Sequence, residues 1–219
     1  QITREKGAQS LEVCCHLNQD QLGSEAELHY HLQGEMYQKA GLKMTDETAY
    51  MTCSSNEGSL QKTTSIPEPF LICDFHPSYQ QPAYSCFLAA FSAGSDRSIL
   101  HKTPEQREAV FEAYLVGNLN SRASKLLLED GQVRGISLIQ TRVGVGDEHL
   151  ALLAISPEIQ GQGWGRTLAS ASMEAAAQGG DKLFSVGVDL ANQPAYRLYQ
   201  SLGFKTQSKL ITHIWKNSP

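Results

Sequence analysis

The chain has 219 residues, enough for one large domain or for one domain of ordinary size with an extension. Hydrophobic residues make up 41% and charged residues 19%, and the formal net charge of −5 argues against a surface for nucleic acid or anionic membranes. No apolar run approaches the ~20 residues of a membrane-spanning helix, and the five cysteines have neither disulfide-scaffold nor zinc spacing. The sequence predicts a cytoplasmic protein without a metal site.

Strand and helix patterns alternate after residue 66. A helix is predicted to begin after Thr103, because Thr103, Pro104 and Gln106 form a capping box, and to run to about Asn118. The other predicted elements are strand 70–74, helix 79–93, strands 124–129, 133–142 and 148–155, helix 167–178, strand 183–189, helix 195–201 and strand 206–215. This order predicts an α/β (α+β) fold with a mixed, mostly antiparallel sheet flanked by helices on both faces.

A glycine-rich stretch, Gln160–Arg166, stands between an apolar strand pattern ending at Ile155 and an Ala-rich helical segment. A loop that opens a helix offers unpaired N–H groups and the positive end of the helix dipole to an anion. Gly161, Gly163 and Gly165 allow the backbone to approach such an anion closely. Their spacing fits neither the dinucleotide fingerprint nor the P-loop, which needs a Lys-Ser or Lys-Thr. The sequence therefore predicts a site for a phosphorylated ligand of another kind.

Two motifs together resemble the GNAT superfamily of N-acetyltransferases. The first is Gln-x-x-Gly-x-Gly, from Gln160 to Gly165, after a strand that ends in Ile-Ser-Pro. The second, Asn192–Phe204, is similar to the family's Asn-x-x-Ala-x-x-x-Tyr-x-x-x-Gly-Phe signature. The resemblance implies a GNAT-type sheet, acetyl-CoA as the acetyl donor, and a primary amine of a small molecule or peptide as the acceptor.

The resemblance also implies how acetyl-CoA is held. The loop backbone would bind the pyrophosphate with added charge from Arg166, the strand ending at Ile155 would lie beside the pantetheine arm, and Asn192 would cap a helix and bond the arm. The implied cofactor-binding residues are Leu153, Ala154, Ile155, Gln160, Gly161, Gln162, Gly163, Trp164, Gly165, Arg166, Asn192, Ala195 and Tyr199.

Three residues are candidates for the proton transfers. Tyr199 stands at the signature tyrosine, and a phenol can donate a proton to the departing thiolate, although a tyrosine that only packs on the helix is the alternative. His149 is the candidate base, because several relatives place a Glu or His on this strand and an imidazole accepts protons near neutral pH. Glu148 is the alternative base. Consecutive strand residues face opposite sides, so we expect only one of the two to face the cleft.

The first part of the chain repeats its end. Tyr37–Lys43 matches Tyr199–Lys205, and the strand pattern before each helix matches as well. We interpret residues 1–60 as an incomplete GNAT-like half-domain and linker without a glycine loop, and residues 67–219 as the catalytic domain; a chance match of short amphipathic pieces is the alternative. A half-domain exposes an open sheet edge. It must therefore pack on the catalytic domain or on another subunit, which leaves a homodimer open.

Two functions fit these observations. The first is an acetyl-CoA-dependent N-acetyltransferase in which the amine attacks directly in a ternary complex. The second is a non-catalytic module that binds acetyl-CoA or another protein. The enzyme needs an acid and a base, whereas the module needs only the loop. The presence of both Tyr199 and His149 favours the enzyme.

Overall fold

A computed structural model describes residues 10–21, 23–56 and 66–216. Residues 57–65, which include the end of the predicted half-domain and linker, lie outside these ranges. The strands are β1 (Ser10–Asn18), β2 (Lys43–Ser54), β3 (Phe70–Asp74), β4 (Lys125–Glu129), β5 (Gln132–Arg142), β6 (Asp147–Ile155), β7 (Leu183–Asp189) and β8 (Lys205–Lys216). The helices are α1 (Glu25–Lys39), α2 (Gln80–Ser92), α3 (Arg97–Leu100), α4 (Pro104–Leu115), α5 (Trp164–Ala177) and α6 (Gln193–Ser201).

All eight described strands form one sheet, in the order β1-β8-β2-β7-β6-β5-β4-β3. Every neighbouring pair is antiparallel except β6 and β7. Neighbouring residues of β4 separate the two layers, because Leu126 packs with the α2 residue Phe87 while Leu127 packs with the α5 residue Leu168. Helices therefore cover both faces, and the fold class predicted from the sequence is confirmed.

The first part of the chain contributes to the centre of this sheet. Strand β2 lies between β7 and β8 and pairs with both of them. Its residues Ala49, Met51 and Cys53 are buried in one hydrophobic cluster with Phe184 and Val186 of β7. Strand β1 pairs with the other side of β8. The division into a half-domain and a catalytic domain stays a proposal, since the sheet runs through both parts without a break.

Strands β1, β8, β2 and β7 form a four-stranded region that consists of two halves with the same order of elements. Each half is a strand, a helix and a strand: β1-α1-β2 in the first, β7-α6-β8 in the second. The order β1-β8-β2-β7 is unchanged when the two halves are exchanged. Both helices end at a glycine with positive φ, Gly41 at 88° and Gly203 at 91°, as the repeated Tyr-x-x-x-Gly sequence requires.

Strands β6 and β7 separate soon after they meet. The two strands pair only at Glu148–Phe184 and His149–Ser185. From Leu150 onward, β6 keeps its partner β5 on one side, and none of the described strands pairs with its other side. The divergence leaves a wedge that opens toward the glycine loop.

Some boundaries differ from the sequence-based expectations. Helix α4 carries the predicted capping box but ends at Leu115, because Val116 is extended with ψ at 141°. Helix α5 begins at Trp164 rather than Thr167, so the last part of the glycine stretch is already the first turn of the helix. The short helix α3 was not predicted.

Candidate active site

A cavity of about 610 Å³ occupies the wedge between β6 and β7. One wall is the end of β6, with Leu153, Ala154 and Ile155. A second wall is the glycine loop and the first turn of α5, with the predicted residues Gln160, Gly161, Gly163, Gly165 and Arg166. The start of α6 adds Asn192, Ala195 and Tyr199. The structure thus brings eleven of the predicted residues together around one space.

The glycine loop presents a row of free backbone donors. Gly161 and Gly163 have φ of 75° and 89°, a region that favours glycine, and Gly163 is the N-cap of α5. Within the described residues, no backbone or side-chain acceptor is recorded for the N–H groups of residues 161–166. The side chain of Gln160 donates to the Ile155 carbonyl at 2.8 Å and so ties the loop to β6. Free donors beside a helix N terminus fit an anion such as a diphosphate.

Close packing explains why residue 165 is a glycine. A Cβ at Gly165 would lie 3.0 Å from Leu198 Cδ1 and 3.6 Å from Ile155 Cγ1. A larger residue would push α6 away from the first turn of α5. Gly165 therefore allows the helix that carries Tyr199 to approach the loop closely. Because of this close approach, both motifs line the same cavity.

Gln162 and Trp164 do not line the cavity with their side chains. Gln162 Nε2 donates to the Glu158 carbonyl at 3.3 Å. The Trp164 ring packs against Phe70, with 4.2 Å between the ring centroids. Only their backbone N–H groups belong to the row of donors, so any cofactor role proposed for these two residues is a backbone role.

Tyr199 is buried and is one of the residues that line the cavity. Its residue is 6% exposed and packs edge-on against Phe204, yet its side chain lines the cavity. No hydrogen bond of its hydroxyl is recorded among the described residues. Burial raises the pKa of Tyr199 above its usual value, and the nearby Asp96 and Tyr114 add to the rise. The phenol is therefore protonated throughout the neutral pH range.

Asn192 caps the helix that carries Tyr199. Its side-chain Oδ1 accepts a hydrogen bond from the Ala195 N–H at 3.3 Å. The following Pro194 lies in the first turn of α6, where a missing N–H costs no helical hydrogen bond. This cap fixes the start of α6 at the cavity wall. The further role of Asn192, a bond to the pantetheine arm, stays a prediction.

The end of α2 and the segment between α2 and α3 form a wall on which sequence reasoning singled out no residue. Phe91, Gly94, Ser95 and Asp96 line the cavity opposite the glycine loop. The weak signal for this segment is Asp96-Arg97-Ser98, in which Asp96 accepts from the Ser98 N–H at 3.0 Å and so begins α3.

A buried ion pair fastens this wall to β7. Asp189 is 2% exposed, and its carboxylate accepts from the Arg97 backbone N–H at 2.6 Å and from Arg97 Nη2 at 2.8 Å. Burial alone would raise the pKa of Asp189, but the hydrogen bonds from Arg97 and from the Ala191 N–H hold it below its usual value. Ser95 Oγ also donates to the Ala191 carbonyl at 3.2 Å. Residues 95–97 are thereby held beside the start of α6.

The two base candidates lie outside the cavity lining. His149 Nδ1 is 2.9 Å from Ser185 Oγ, near the ion pair between Arg142 and Asp147. Burial and the positive charge of Arg142 lower the pKa of His149 to about 4, so the imidazole is neutral at pH 7. Glu148 is buried and accepts hydrogen bonds from Thr141 and Asn120, at 2.9 Å and 3.3 Å.

The described residues contain neither a membrane-spanning helix nor a cluster of metal ligands. None of the helices there is long and apolar enough to cross a bilayer. No group of three or more His, Cys, Asp or Glu side chains in the described ranges is arranged to hold a metal ion.

Comparison with known structures supports the fold. A GCN5-related N-acetyltransferase from Sphaerobacter thermophilus aligns with a TM-score of 0.69 at 15% identity, over 100% of this chain and 65% of its own. A tandem GNAT protein from the clavulanic acid biosynthesis pathway aligns with a TM-score of 0.65 at 12% identity, over 100% of this chain and 67% of its own. This chain therefore spans about two thirds of the length of both proteins. At these identities the likeness concerns the fold.

Sequence comparison identifies the family to which the chain belongs. No curated protein matches the sequence significantly. The model of the acetyltransferase (GNAT) family matches residues 87–204. This segment covers more than half of the chain and includes the glycine loop, both walls of the cavity and the Asn192–Phe204 motif. The chain therefore belongs to the GNAT acetyltransferase family.

Proposed function

We propose that this protein transfers the acetyl group of acetyl-CoA to a primary amine of a small molecule or peptide, by direct attack in a ternary complex. The observation that carries the proposal is the row of free N–H groups at residues 161–166, on the rim of a cavity that contains the Tyr199 side chain. The donors suit the diphosphate of the coenzyme, and the buried phenol suits a departing thiolate. A cytoplasmic location and a homodimer remain predictions.

The residues around the cavity fit coenzyme A in two respects. The glycine loop supplies donors without a side chain that would block them, and Arg166 lines the cavity nearby with its positive charge. The open edge of β6 at Leu153, Ala154 and Ile155 supplies backbone groups that can pair with the amides of the pantetheine arm, as a further strand would. When bound, acetyl-CoA supplies an activated thioester.

The proton transfers need an acid and a base. Tyr199 is the proposed acid, because it lines the cavity and its buried phenol stays protonated at neutral pH. His149 remains the proposed base, and Glu148 the alternative. Neutral His149 can accept a proton, but its low pKa makes it a weak base, and a water would have to connect it to the amine.

The binding proposal is tested by a charge placed in the loop. A glutamate at Gly163 would bring a side chain and a negative charge to the row of donors. We expect Gly163→Glu to weaken acetyl-CoA binding by about 100-fold or more, measured by isothermal titration calorimetry. The matched control is Gly41→Glu, because Gly41 has nearly the same φ, 88° against 89°, and equally open surroundings but lies after α1.

The same proteins are then screened for acetylation of an amine panel by following the release of free CoA. Wild-type protein should release CoA with at least one amine, and Gly163→Glu should not. Unchanged affinity in Gly163→Glu would remove the loop as the binding site. Tight acetyl-CoA binding without transfer to any amine would favour the non-catalytic module instead.

A further inference from the structure

One carboxylate of the cavity has no ionic partner. Asp96 is partly buried on the wall opposite the glycine loop. Its Oδ1 accepts hydrogen bonds from Ser98, from the backbone N–H at 3.0 Å and from Oγ at 2.6 Å. The Ile99 backbone N–H also contributes a hydrogen bond that lowers the pKa of this carboxylate, but no cation pairs with it among the described residues. The neighbouring cation, Arg97, is directed to Asp189 instead.

This carboxylate belongs to the same site as Tyr199. The negative charge of Asp96 contributes to the raised pKa of Tyr199 and of Tyr114, for which burial is the larger cause. Both phenols therefore lie within electrostatic range of Asp96. Tyr199 is itself a buried hydroxyl without a recorded partner that faces the cavity. Asp96, whose carboxylate has no ionic partner among the described residues, and Tyr199 thus line one cavity whose walls are otherwise mostly apolar.

The position of Asp96 is fixed by its neighbours. The Arg97–Asp189 pair and the Ser95–Ala191 hydrogen bond hold residues 95–97 against the segment that leads into α6. Asp96 is therefore held rigidly with respect to Tyr199, although the two residues are far apart in the sequence. A partly buried carboxylate without a cation is costly unless a ligand supplies the positive charge.

We infer that Asp96 binds the ammonium group of a cationic acceptor and takes up its first proton. The inference rests on the proposed function and narrows its acceptor class to amines that are protonated near neutral pH. Burial raises the pKa of Asp96 and the negative charge of Asp189 adds to the rise, while the hydrogen bonds from Ser98 and Ile99 oppose it; because the net shift is upward, the carboxylate is a stronger base than an exposed aspartate.

The reaction balances without another reactant. Asp96 takes one proton from the ammonium and leaves a neutral amine with a free electron pair. That nitrogen forms the C–N bond with the acetyl carbon while the C–S bond breaks, and the Tyr199 hydroxyl gives its proton to the departing thiolate. The nitrogen then returns its surplus proton to the phenolate, and Asp96 loses its proton to solvent. In this scheme Asp96 takes the place of His149 and Glu148 as the base, and Arg97 and Asp189 act only as positioning residues.

The test uses two acceptors of similar size and different charge. At pH 7.5 ethylamine is an ammonium ion, whereas methoxyamine is neutral. We expect Asp96→Asn to lower kcat/KM for ethylamine by about 100-fold and for methoxyamine by no more than about 3-fold. Asparagine can still cap α3, so the fold should be kept. Asp181→Asn, which removes an exposed carboxylate, is the matched control and should match wild type with both amines.

Acetyl-CoA affinity separates the two proposals. Each variant is titrated with acetyl-CoA, and an unchanged Kd in Asp96→Asn shows that the loop is intact. Equal losses with both amines, or wild-type kinetics with ethylamine, would overturn the role of Asp96 and leave the proposed function standing. Absence of acetyl-CoA binding by wild-type protein would overturn the proposed function, and the Asp96 inference with it. Partial recovery of the ethylamine rate by Asp96→Glu would support the inference.

Discussion

Tyr199 and Tyr37 accept the same backbone hydrogen bond in the two halves of the sheet. The Phe204 N–H donates to the Tyr199 carbonyl at 3.0 Å, and the Leu42 N–H donates to the Tyr37 carbonyl at 3.0 Å. Their side chains have different surroundings. The Tyr199 side chain lines the cavity, whereas the Tyr37 ring packs against His213, with 5.6 Å between the centroids. The repeat thus supplies a tyrosine in the same local backbone with no cofactor loop beside it.

These two tyrosines allow a matched test of the proposal that Tyr199 is the general acid. We expect Tyr199→Phe to lower kcat by about 100-fold or more, because the thiolate would have to leave without a positioned proton donor. The Kd for acetyl-CoA should change little, since the ring remains. Tyr37→Phe should retain wild-type turnover. Steady-state kinetics and calorimetry on both variants check the prediction, which a fully active Tyr199→Phe would contradict.

The sequence predicted those parts of the site that depend on local patterns. The glycine loop and the Asn192–Phe204 motif were recognisable because turns and helix caps depend on a few adjacent residues. The structure then brings both motifs to one cavity, through the close contact of Gly165 with Leu198. The role of Asp96 was not predicted, because it depends on the Arg97–Asp189 pair between residues that are distant in sequence.

Long-range strand pairing and one register shift explain why the rest of the fold and of the site could not be predicted from the sequence. The position of β2 between β7 and β8 depends on the pairing of the whole sheet, which local sequence patterns do not show. In β6 the register shifts, so that Leu152 pairs with Leu138 while Leu150 pairs with Ile139. The shift places Leu150 and Leu152 in different hydrophobic clusters. Simple alternation along β6 therefore could not place Glu148 and His149 relative to the cavity, whose lining includes neither of them.

A buried histidine under α1 predicts a pH-dependent stability. His213 is fully buried, and neither ring nitrogen has a hydrogen-bond partner among the described residues. Burial lowers the pKa of His213 below its usual value, and an interaction with the Gly34 backbone opposes part of this effect. The unfolded chain therefore takes up this proton first as the pH falls below about 6.5, and the free energy of unfolding decreases from that point toward the folded-state pKa.

Replacement of this histidine should stabilise the protein. We expect His213→Phe to raise the free energy of unfolding by about 1–2 kcal/mol at pH 7.5, because two unsatisfied buried polar atoms are removed. The difference from wild type should widen between pH 6.5 and 5.5, as measured by urea denaturation. His16→Phe, on an exposed position of β1, should leave the pH dependence unchanged. Parallel pH profiles for His213→Phe and wild type would show that this imidazole does not set the acid sensitivity.

The last prediction concerns the place of β2 in the fold. If residues 67–219 are expressed alone, β7 and β8 lose the strand that lies between them, and the cluster around Phe184 loses Ala49, Met51 and Cys53. We expect this fragment to lack a cooperative unfolding transition and to bind no acetyl-CoA. Deletion of residues 1–18 removes only the edge strand β1 and should be milder, because β8 keeps its pairing with β2.

Addition of residues 1–60 as a separate chain should restore binding to the 67–219 fragment, since the same strand can enter from another molecule. Circular dichroism during thermal unfolding and calorimetry with acetyl-CoA measure both effects. A soluble 67–219 fragment that unfolds cooperatively and binds acetyl-CoA at wild-type affinity would mean that β8 can pair directly with β7. The first sixty residues would then be a separable accessory unit, whereas failure of the fragment would make them a structural part of the catalytic sheet.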